Sequence, residues 1–316
     1  MLLNSSSNAS IIKSSFYNES KFCQQERTGL TIEDKALHSF IALYGLCGCF
    51  GLLANAFVIF IIKTTRQLQN QSIKLLMYLS CVDFYSSIIA LIRIPLFIHA
   101  KRLSCAGIGW MYFFTLVSIY STNYLFALTG LDRFLRIKYL DEYNTKFTPL
   151  RFRITIYWYF ALVIILPTVS AYLNSKHYIG YASKYVLTFN ILLVLTTVIF
   201  YALSIFKLRR LRKFNQVISD ATQNILNVTK VYLYLFIGCT GGTLCYQLIL
   251  SRFSWTRVRP EIMVNVIRLL PTIQGSINAM AFVIIHPLAR RYVATKTAWL
   301  VRLLIRSNTV HGENVP

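Results

Sequence analysis

Seven stretches of about twenty mostly apolar residues divide this sequence, and a helix of that length crosses the hydrocarbon core of a bilayer. They lie near residues 37–62, 75–98, 106–131, 154–173, 185–206, 231–251 and 262–286. In hydrocarbon each backbone N–H and C=O must bond within its own segment, so these stretches are predicted to be helices. Their length does not suit the alternating strands of a barrel. The sequence therefore predicts an all-α membrane protein, a single bundle of seven transmembrane helices.

The composition supports a membrane protein over a soluble one. The chain is 55% hydrophobic and only 14% charged, whereas soluble domains carry roughly a quarter charged residues. The net charge is +22, and the basic residues occur in short segments between the apolar stretches. This arrangement favours membrane lipid headgroups over nucleic acid as the partner.

Charge and glycosylation sequons predict the orientation. If the N-terminus is outside, the inward-facing segments hold 20 of the 33 basic residues, in 63–74, 133–153, 207–230 and 287–316. This bias predicts a cytoplasmic C-terminus. Three sequons, starting at Asn4, Asn8 and Asn18, agree with an extracellular, glycosylated tail over residues 1–35. The seven-helix domain then spans 36–287, in the plasma membrane. We expect its first helix to act as the insertion signal.

The end of the chain has the pattern of a membrane-surface helix. Apolar residues recur on one helical face at Leu288, Tyr292, Trp299 and Leu303. They predict an amphipathic helix over 288–305 on the inner leaflet, followed by a cytoplasmic tail over 306–316.

The seven cysteines do not follow a metal-binding pattern. Cys23 and Cys105 are the two expected on the oxidising side of the membrane, and we hypothesise a disulfide between them. Five others lie within apolar stretches, where a thiol behaves as a small hydrophobe: Cys47, Cys49, Cys81, Cys239 and Cys245.

A charged couplet, Asp132 and Arg133, ends the third apolar stretch. One interpretation is that Arg133, Arg136 and Lys138 reach out to inner-leaflet phosphates as orientation anchors. That interpretation accounts for the basic residues but not for the acid. Ionisable residues in spans tend instead to face the bundle interior or to sit at an interface.

The couplet carries a family resemblance. Leu131-Asp132-Arg133-Phe134, at the end of the third of seven spans, resembles the Asp/Glu-Arg-Tyr motif of rhodopsin-like (class A) G-protein-coupled receptors, with Phe134 in place of Tyr. Other anchors of that family match in order: Asn55 in the first span, Leu79 and Asp83 in the second, Trp158 and Pro167 in the fourth, Tyr201 before the basic run 207–210 in the fifth, and Asn278 with Phe282 in the seventh. The resemblance covers residues 37–304.

The resemblance implies a cell-surface receptor that transmits extracellular ligand binding to a heterotrimeric G protein and is not an enzyme. Asp132 would hold Arg133 at rest, and on activation Arg133 would extend toward the G protein while Tyr201 packs on it. This switch needs a bistable element that the ligand biases. The implied activation residues are Asp132, Arg133, Phe134, Tyr201, Asn278 and Phe282.

The resemblance also implies an allosteric sodium site in the polar core. Asp83 would be the charged ligand, with Thr122 and Asn278 at positions where the family places oxygen ligands. Asn55 would bond to Asp83 or to the backbone of the seventh helix. Carbonyl and hydroxyl oxygens suit a hard cation. The alternative is a buried, neutral and hydrogen-bonded Asp83 carboxyl.

Several positions depart from the family pattern. Thr240 replaces a Trp and Gly242 a Pro in the sixth span, whereas Ala279 replaces a Pro and Phe282 a Tyr in the seventh. Paired glycines permit a bend but do not impose one as proline does. The alternative is therefore a divergent, chemosensory-type receptor with constitutive or no G-protein coupling.

The outer half of the bundle suggests the ligand class. Thr115 stands where amine receptors carry an Asp, and the seventh span has no Lys for a retinal Schiff base. Arg93 lies ten residues above Asp83, and Arg268 ten residues before Asn278, or about 15 Å along each helix. We hypothesise an anionic ligand, such as a carboxylate, phosphate, acidic lipid or peptide C-terminus, in a pocket with Arg93, Thr115, Thr240 and Arg268. The alternative is that both arginines reach outward to lipid headgroups.

Two other classes of function compete with the receptor. A transporter or channel would be expected to show internal repeats or intramembrane acids for ion coupling, and the sequence has no repeats and few such acids. An intramembrane enzyme would need paired Asp or a His/Glu metal set. The five histidines lie near span ends or outside the spans, at 38, 99, 177, 286 and 311.

Overall fold

The computed structural model describes residues 34–65, 71–99, 104–139, 142–175, 179–214, 260–286 and 289–296. These residues are helical apart from short connections, and no strand occurs among them. The helices are α1 Asp34–Thr64, α2 Gln71–Ile98, α3 Cys105–Tyr139, α4 Tyr143–Lys146, α5 Pro149–Ser175, α6 Ile179–Phe214 and α7 Pro260–Ile285. A short helix, α8 Ala289–Lys296, lies at 82° to α7.

Five of these helices are long and apolar enough to cross a membrane. They correspond to the first five predicted spans, namely α1, α2, α3, α5 and α6. A sixth candidate is formed if α7 and α8 are counted as one bent span. The predicted sixth span, 231–251, lies outside the described residues. The described residues are therefore those of a helical membrane protein, as predicted, while the seven-span count and the orientation stay predictions.

Helix α3 occupies the middle of the described bundle, in contact with α2, α4, α5, α6 and α7. Helix α2 packs on α1 and α7, and α1 also packs on α7. About the middle of α3, polar side chains such as Ser121, Thr122 and Asn123 are buried. In a bilayer, polar groups inside a helix bundle avoid contact with hydrocarbon. The position of α3 thus explains how a span with many polar residues remains compatible with the membrane.

The outer faces of the bundle carry large exposed apolar side chains. Leu46 on α1 is 70% exposed, and Tyr157 and Trp158 on α5 are 71% and 64% exposed. A patch of this kind on a soluble monomer would be a liability. On a spanning helix it is the surface that contacts lipid tails, which are as apolar as these side chains.

Glycines allow α1, α2 and α7 to approach closely. A Cβ at Gly51 of α1 would lie 2.5 Å from Ser87 Oγ on α2 and 2.8 Å from Ser276 Oγ on α7. A Cβ at Gly275 of α7 would lie 2.7 Å from the Cβ of Asp83 on α2. Small residues at helix interfaces in membranes bring backbones together in this way. The close approach places the polar side chains of α2 and α7 within hydrogen-bonding reach.

Candidate functional site

Asp132 is buried at one end of α3, and two partners contact its carboxylate. The Tyr143 hydroxyl, on α4, donates a hydrogen bond to Asp132 Oδ1. Arg136 Nε lies 3.4 Å from Asp132 Oδ2, and the Arg136 guanidinium carbon lies 4.3 Å from the centre of the Tyr143 ring. The three side chains therefore form a closed cluster that holds α4 against α3.

Tyr143 remains protonated in this cluster. Its burial and the adjacent negative charge of Asp132 raise the pKa of its hydroxyl well above the usual value. The Tyr143 hydroxyl therefore keeps its proton and donates a hydrogen bond to the Asp132 carboxylate. Bonds to an ionised acceptor are stronger than those between neutral groups.

Arg133 lies near a different group at the same end of the bundle. It is partly buried, and its positive charge acts on His286, which directly follows α7. Burial first, and then the charge of Arg133, lower the pKa of His286 below its usual value. Among the described residues, none hydrogen-bonds to the buried His286 Nδ1. The expected restraint of Arg133 by Asp132 stays a prediction, since the ion pair described for Asp132 is with Arg136.

Three other predicted activation residues, Phe134, Tyr201 and Phe282, lie on the helices around these two groups. Phe134 stacks on Phe200 of α6, with ring centres 6.3 Å apart. Tyr201 is fully buried on α6, next to Gly130 of α3, where a Cβ would lie 3.2 Å from the tyrosine ring. On α7, Phe282 is buried and its ring centre lies 5.3 Å from that of His286. Phe134 and Tyr201 thus contribute to the α3–α6 contact.

Asp83 and Asn278 connect α2 to α7 in the middle of the bundle. Asn278 Nδ2 donates to Asp83 Oδ2 at 3.2 Å, and both residues are buried. Asn55 joins the same region from α1, because its Nδ2 donates to the backbone oxygens of Gly51 at 2.8 Å and Gly275 at 3.4 Å. The second of these bonds agrees with the expected contact of Asn55 with the backbone of the last helix.

The polar core contains side-chain oxygens of the kind that bind a sodium ion. The buried side-chain oxygens without a hydrogen-bond partner in the described residues include four of this polar core, Asn55 Oδ1, Asp83 Oδ1, Thr122 Oγ1 and Asn278 Oδ1. A buried polar atom left unsatisfied costs about 1–3 kcal/mol. A hard cation bound by carboxylate, amide and hydroxyl oxygens would remove that cost. The residues therefore fit the ion in kind, with Asp83 supplying the negative charge.

Arg93 is buried in the other half of α2 and points into the bundle. It is only 4% exposed, and its Nη2 donates to Thr115 Oγ1 on α3 at 2.6 Å. The Thr115 hydroxyl in turn donates to the backbone oxygen of Met111 at 2.7 Å. This burial argues against the alternative in which Arg93 extends outward to lipid headgroups.

A cavity between α2, α3 and α7 brings Arg93, Thr115 and Arg268 together. Its described lining contains no Asp or Glu and includes Ser86, Ser118 and Thr272. Tyr44 of α1 lies beside it. Its hydroxyl donates to the backbone oxygen of Asn265 at 2.9 Å, and it is hydrogen-bonded by Arg93 and lies within electrostatic range of Arg268. Three of the four predicted pocket residues therefore share one cavity.

Other predicted site residues lie outside the described part of the chain. These are the fourth pocket residue, Thr240, its neighbour Gly242, the glycosylation sites Asn4, Asn8 and Asn18, and Cys23. Cys105 is the first residue of α3. Because Cys23 lies outside the described residues, the disulfide between the two stays a prediction.

Sequence reasoning missed Arg136, Tyr143, His286 and Tyr44 as members of these sites. Arg136 had a signal, since a base four residues after an acid lies on the same helical face. Tyr143 and Tyr44 approach their partners from other helices, and nothing in their local sequence indicates it.

The chain has no match among protein-family models or among curated proteins. The resemblance to rhodopsin-like receptors therefore depends on the sequence motifs alone.

Proposed function

We propose that this protein is a divergent G-protein-coupled receptor of the plasma membrane, which passes the binding of an extracellular ligand to a heterotrimeric G protein. One observation carries the proposal: α2 and α7 meet at two levels through polar residues. Arg93 and Arg268 line one cavity, and Asp83 and Asn278 are hydrogen-bonded to each other. On both helices the two levels are ten residues apart, or about 15 Å.

The α7 residues beyond Asn278 continue toward the end of the bundle where Asp132 and Arg133 lie. Phe282 and His286 follow at four-residue steps, which keeps them on one face of a helix. The backbone N–H of His286 donates to the oxygen of Phe282 at 3.0 Å, so the helical pattern continues to that residue. His286 then lies within electrostatic range of Arg133. Chains of packed side chains couple distant sites in proteins, and we propose that this face of α7 is part of such a chain.

In the proposed mechanism the ligand changes how α7 sits against α2. The change alters the Asp83–Asn278 contact, at which a sodium ion would favour the resting state, and moves Phe282 and His286. Arg133 is then displaced toward the G protein. A ligand shifts the equilibrium only by its difference in affinity for the two states. The extracellular glycosylated tail, the Cys23–Cys105 disulfide and the inner-leaflet position of α8 are parts of the same proposal.

The proposal is tested by nucleotide exchange on added G protein. The full chain in lipid nanodiscs is compared with Arg133→Ala and with Lys138→Ala, a matched control because Lys138 is an exposed base five residues later on α3. We expect exchange above that of empty nanodiscs, lost in Arg133→Ala and retained in Lys138→Ala. Equal exchange by both variants and the unchanged chain would contradict the proposal.

A second candidate is a seven-helix receptor without G-protein coupling, which the buried ring of Phe282 favours. Phe282 is 4% exposed and packs beside His286, and it has no hydroxyl to bond within an opened inner face. No exchange with any G-protein class, together with a retained response to ligand binding at the cavity, would support this candidate.

A further inference from the structure

The residues that line the cavity between α2, α3 and α7 indicate which kind of anion it would bind. We infer that it binds a single oxyanion, a carboxylate or a phosphate ester oxygen pair, between the guanidinium groups of Arg93 and Arg268. The inference rests on the proposed function, because the same cavity is the proposed ligand site. It names the chemical group that the ligand must present and the helices that it joins.

The first argument is the convergence of two like charges. Arg93 of α2 and Arg268 of α7 line the same cavity, and both lie within electrostatic range of the Tyr44 hydroxyl. Two arginine side chains that line one cavity inside a membrane repel each other more strongly than they would in water. An anion between them converts that repulsion into two attractions.

The second argument is that Arg93 is held in place. Arg93 is only 4% exposed. Thr115 accepts from its Nη2, and the Tyr44 hydroxyl accepts a further hydrogen bond from it. Tyr44 is in turn oriented by its own bond to the Asn265 backbone oxygen. A guanidinium positioned by hydroxyls on two other helices is preorganised, so little side-chain entropy is lost when a ligand binds.

The third argument concerns the shape of the group. A guanidinium presents its N–H donors in a planar fork that matches the two oxygens of a carboxylate or phosphate. A spherical anion such as chloride does not use that fork. Ser86, Ser118 and Thr272 also line the cavity, and the hydroxyls of Ser86 and Ser118 are hydrogen-bonded to each other. The two guanidinium groups, as planar forks, therefore favour a carboxylate or phosphate over a simple halide.

An oxyanion at this place would join α2 to α7. Arg268 lies three residues before Pro271, which lines the same cavity and interrupts the hydrogen-bond ladder of α7. A helix lacking one ladder bond bends more readily there. The anion would thus draw one segment of α7 toward α2, about 15 Å from the Asp83–Asn278 contact. This gives the ligand a direct effect on the element that the proposed mechanism requires.

The test uses acetate as the probe on the purified full chain in lipid-free detergent at neutral pH. Thermal unfolding is followed against acetate, against acetamide as the neutral isostere, and against chloride at equal ionic strength. The variants are Arg93→Gln, Arg268→Gln and Arg268→Lys, with Arg209→Gln as the control, since Arg209 is an exposed base on α6. Arg268 is less buried than Arg93, so the Arg268 variants keep the test valid if Arg93→Gln does not fold.

We expect acetate to raise the unfolding temperature saturably, by a few degrees, with no such rise from acetamide or chloride. The rise should disappear in Arg93→Gln and Arg268→Gln, require about tenfold more acetate in Arg268→Lys, where the fork is lost, and persist in Arg209→Gln. A parallel comparison of phosphatidylglycerol with phosphatidylcholine nanodiscs distinguishes a lipid headgroup from a free anion. Stabilisation by phosphatidylglycerol alone, lost in Arg268→Gln, assigns the oxyanion to a headgroup.

Acetate, acetamide and chloride acting alike would overturn the inference, and so would an acetate effect that Arg268→Gln leaves unchanged. Failure of this inference is distinguishable from failure of the proposed function. Nucleotide exchange without oxyanion binding would contradict the anion site and support the receptor function. Oxyanion binding without nucleotide exchange would contradict G-protein coupling and support the anion site.

Discussion

Asp132 and Arg136 form an ion pair across one turn of α3, with Arg136 Nε 3.4 Å from Asp132 Oδ2. Arg133, the immediate neighbour of Asp132 in the sequence, lies instead within electrostatic range of His286. Consecutive residues of a helix point about 100° apart, so the two members of the couplet contact different neighbours. In the described residues, the acid holds α4 through Tyr143, and the base is placed near the end of α7.

Tyr143→Phe removes the hydroxyl that donates to Asp132. The buried carboxylate then loses a hydrogen bond, and we expect a loss of about 1.5–3 kcal/mol of stability, as is typical for bonds to charged groups. Thermal unfolding of the purified chain measures the loss. Tyr157→Phe is the matched control, because Tyr157 is 71% exposed on α5. Equal unfolding temperatures for the two variants would show that the Tyr143–Asp132 bond contributes little.

His286 should make the stability of the protein depend on pH. Its pKa in the folded state lies below the ordinary 6.5, because burial and the charge of Arg133 disfavour the protonated ring. As the pH falls, His286 therefore binds a proton more readily in the unfolded chain than in the folded protein. The stability of the fold decreases as the pH drops below about 6.5, and the decrease is complete below the lowered pKa of the folded state. Above 6.5 the residue contributes no pH dependence.

Unfolding temperatures measured between neutral and mildly acidic pH check this expectation. His286→Asn should flatten the decline, whereas His99→Asn, at an exposed position after α2, should leave it as in the unchanged chain. Arg133→Gln should reduce the decline only in part, since burial is the larger cause of the shift. An identical decline in His286→Asn and the unchanged chain would assign the effect to another group.

Gly275→Ala should destabilise the α2–α7 contact. The added Cβ would lie 2.7 Å from the Cβ and 2.8 Å from the Cγ of Asp83, and overpacking of this kind costs about 1–3 kcal/mol. Gly109→Ala on α3 is the control, since nothing lies within 4 Å of its added Cβ. That change should be neutral or stabilising by up to about 1 kcal/mol, from the higher helix propensity of alanine. Thermal unfolding distinguishes the two, and a neutral Gly275→Ala would refute the close approach.

Sodium should stabilise the protein through Asp83. Replacing sodium by choline at constant ionic strength removes the cation that the orphaned oxygens of Asp83, Asn55, Thr122 and Asn278 would bind. We expect a lower unfolding temperature in choline and higher basal nucleotide exchange. Asp83→Asn should make both readouts independent of sodium. Glu142→Gln, at an exposed acid of the chain, should retain the sodium effect, and a sodium effect that survives in Asp83→Asn would argue against the site.

Much of the fold was readable from local sequence. Hydrophobic length predicted five of the long apolar helices, because a bilayer requires each span to satisfy its own backbone. The ends differ by several residues, as α3 continues to Tyr139 where the apolar stretch was predicted to end near 131. That extension follows from helix propensity and from pairs such as Asp132–Arg136, which operate beyond the hydrocarbon. The sequence also pointed to Arg93, Thr115 and Arg268 as members of one pocket, by their distance along each helix from Asp83, Arg133 and Asn278.

The helical segments and the polar residues on them could be read from local sequence, since both depend on composition and on the three-to-four-residue periodicity of a helix. The partners of those polar residues follow instead from the packing of the helices. Asp132 lies against Tyr143, Arg133 near His286, and Arg93 beside Tyr44, because helix packing fixes which faces meet. At the contacts of α1, α2 and α7 that packing depends on Gly51 and Gly275. Such contacts join residues that are distant in the chain, and local patterns carry no information about which distant side chain occupies the facing position.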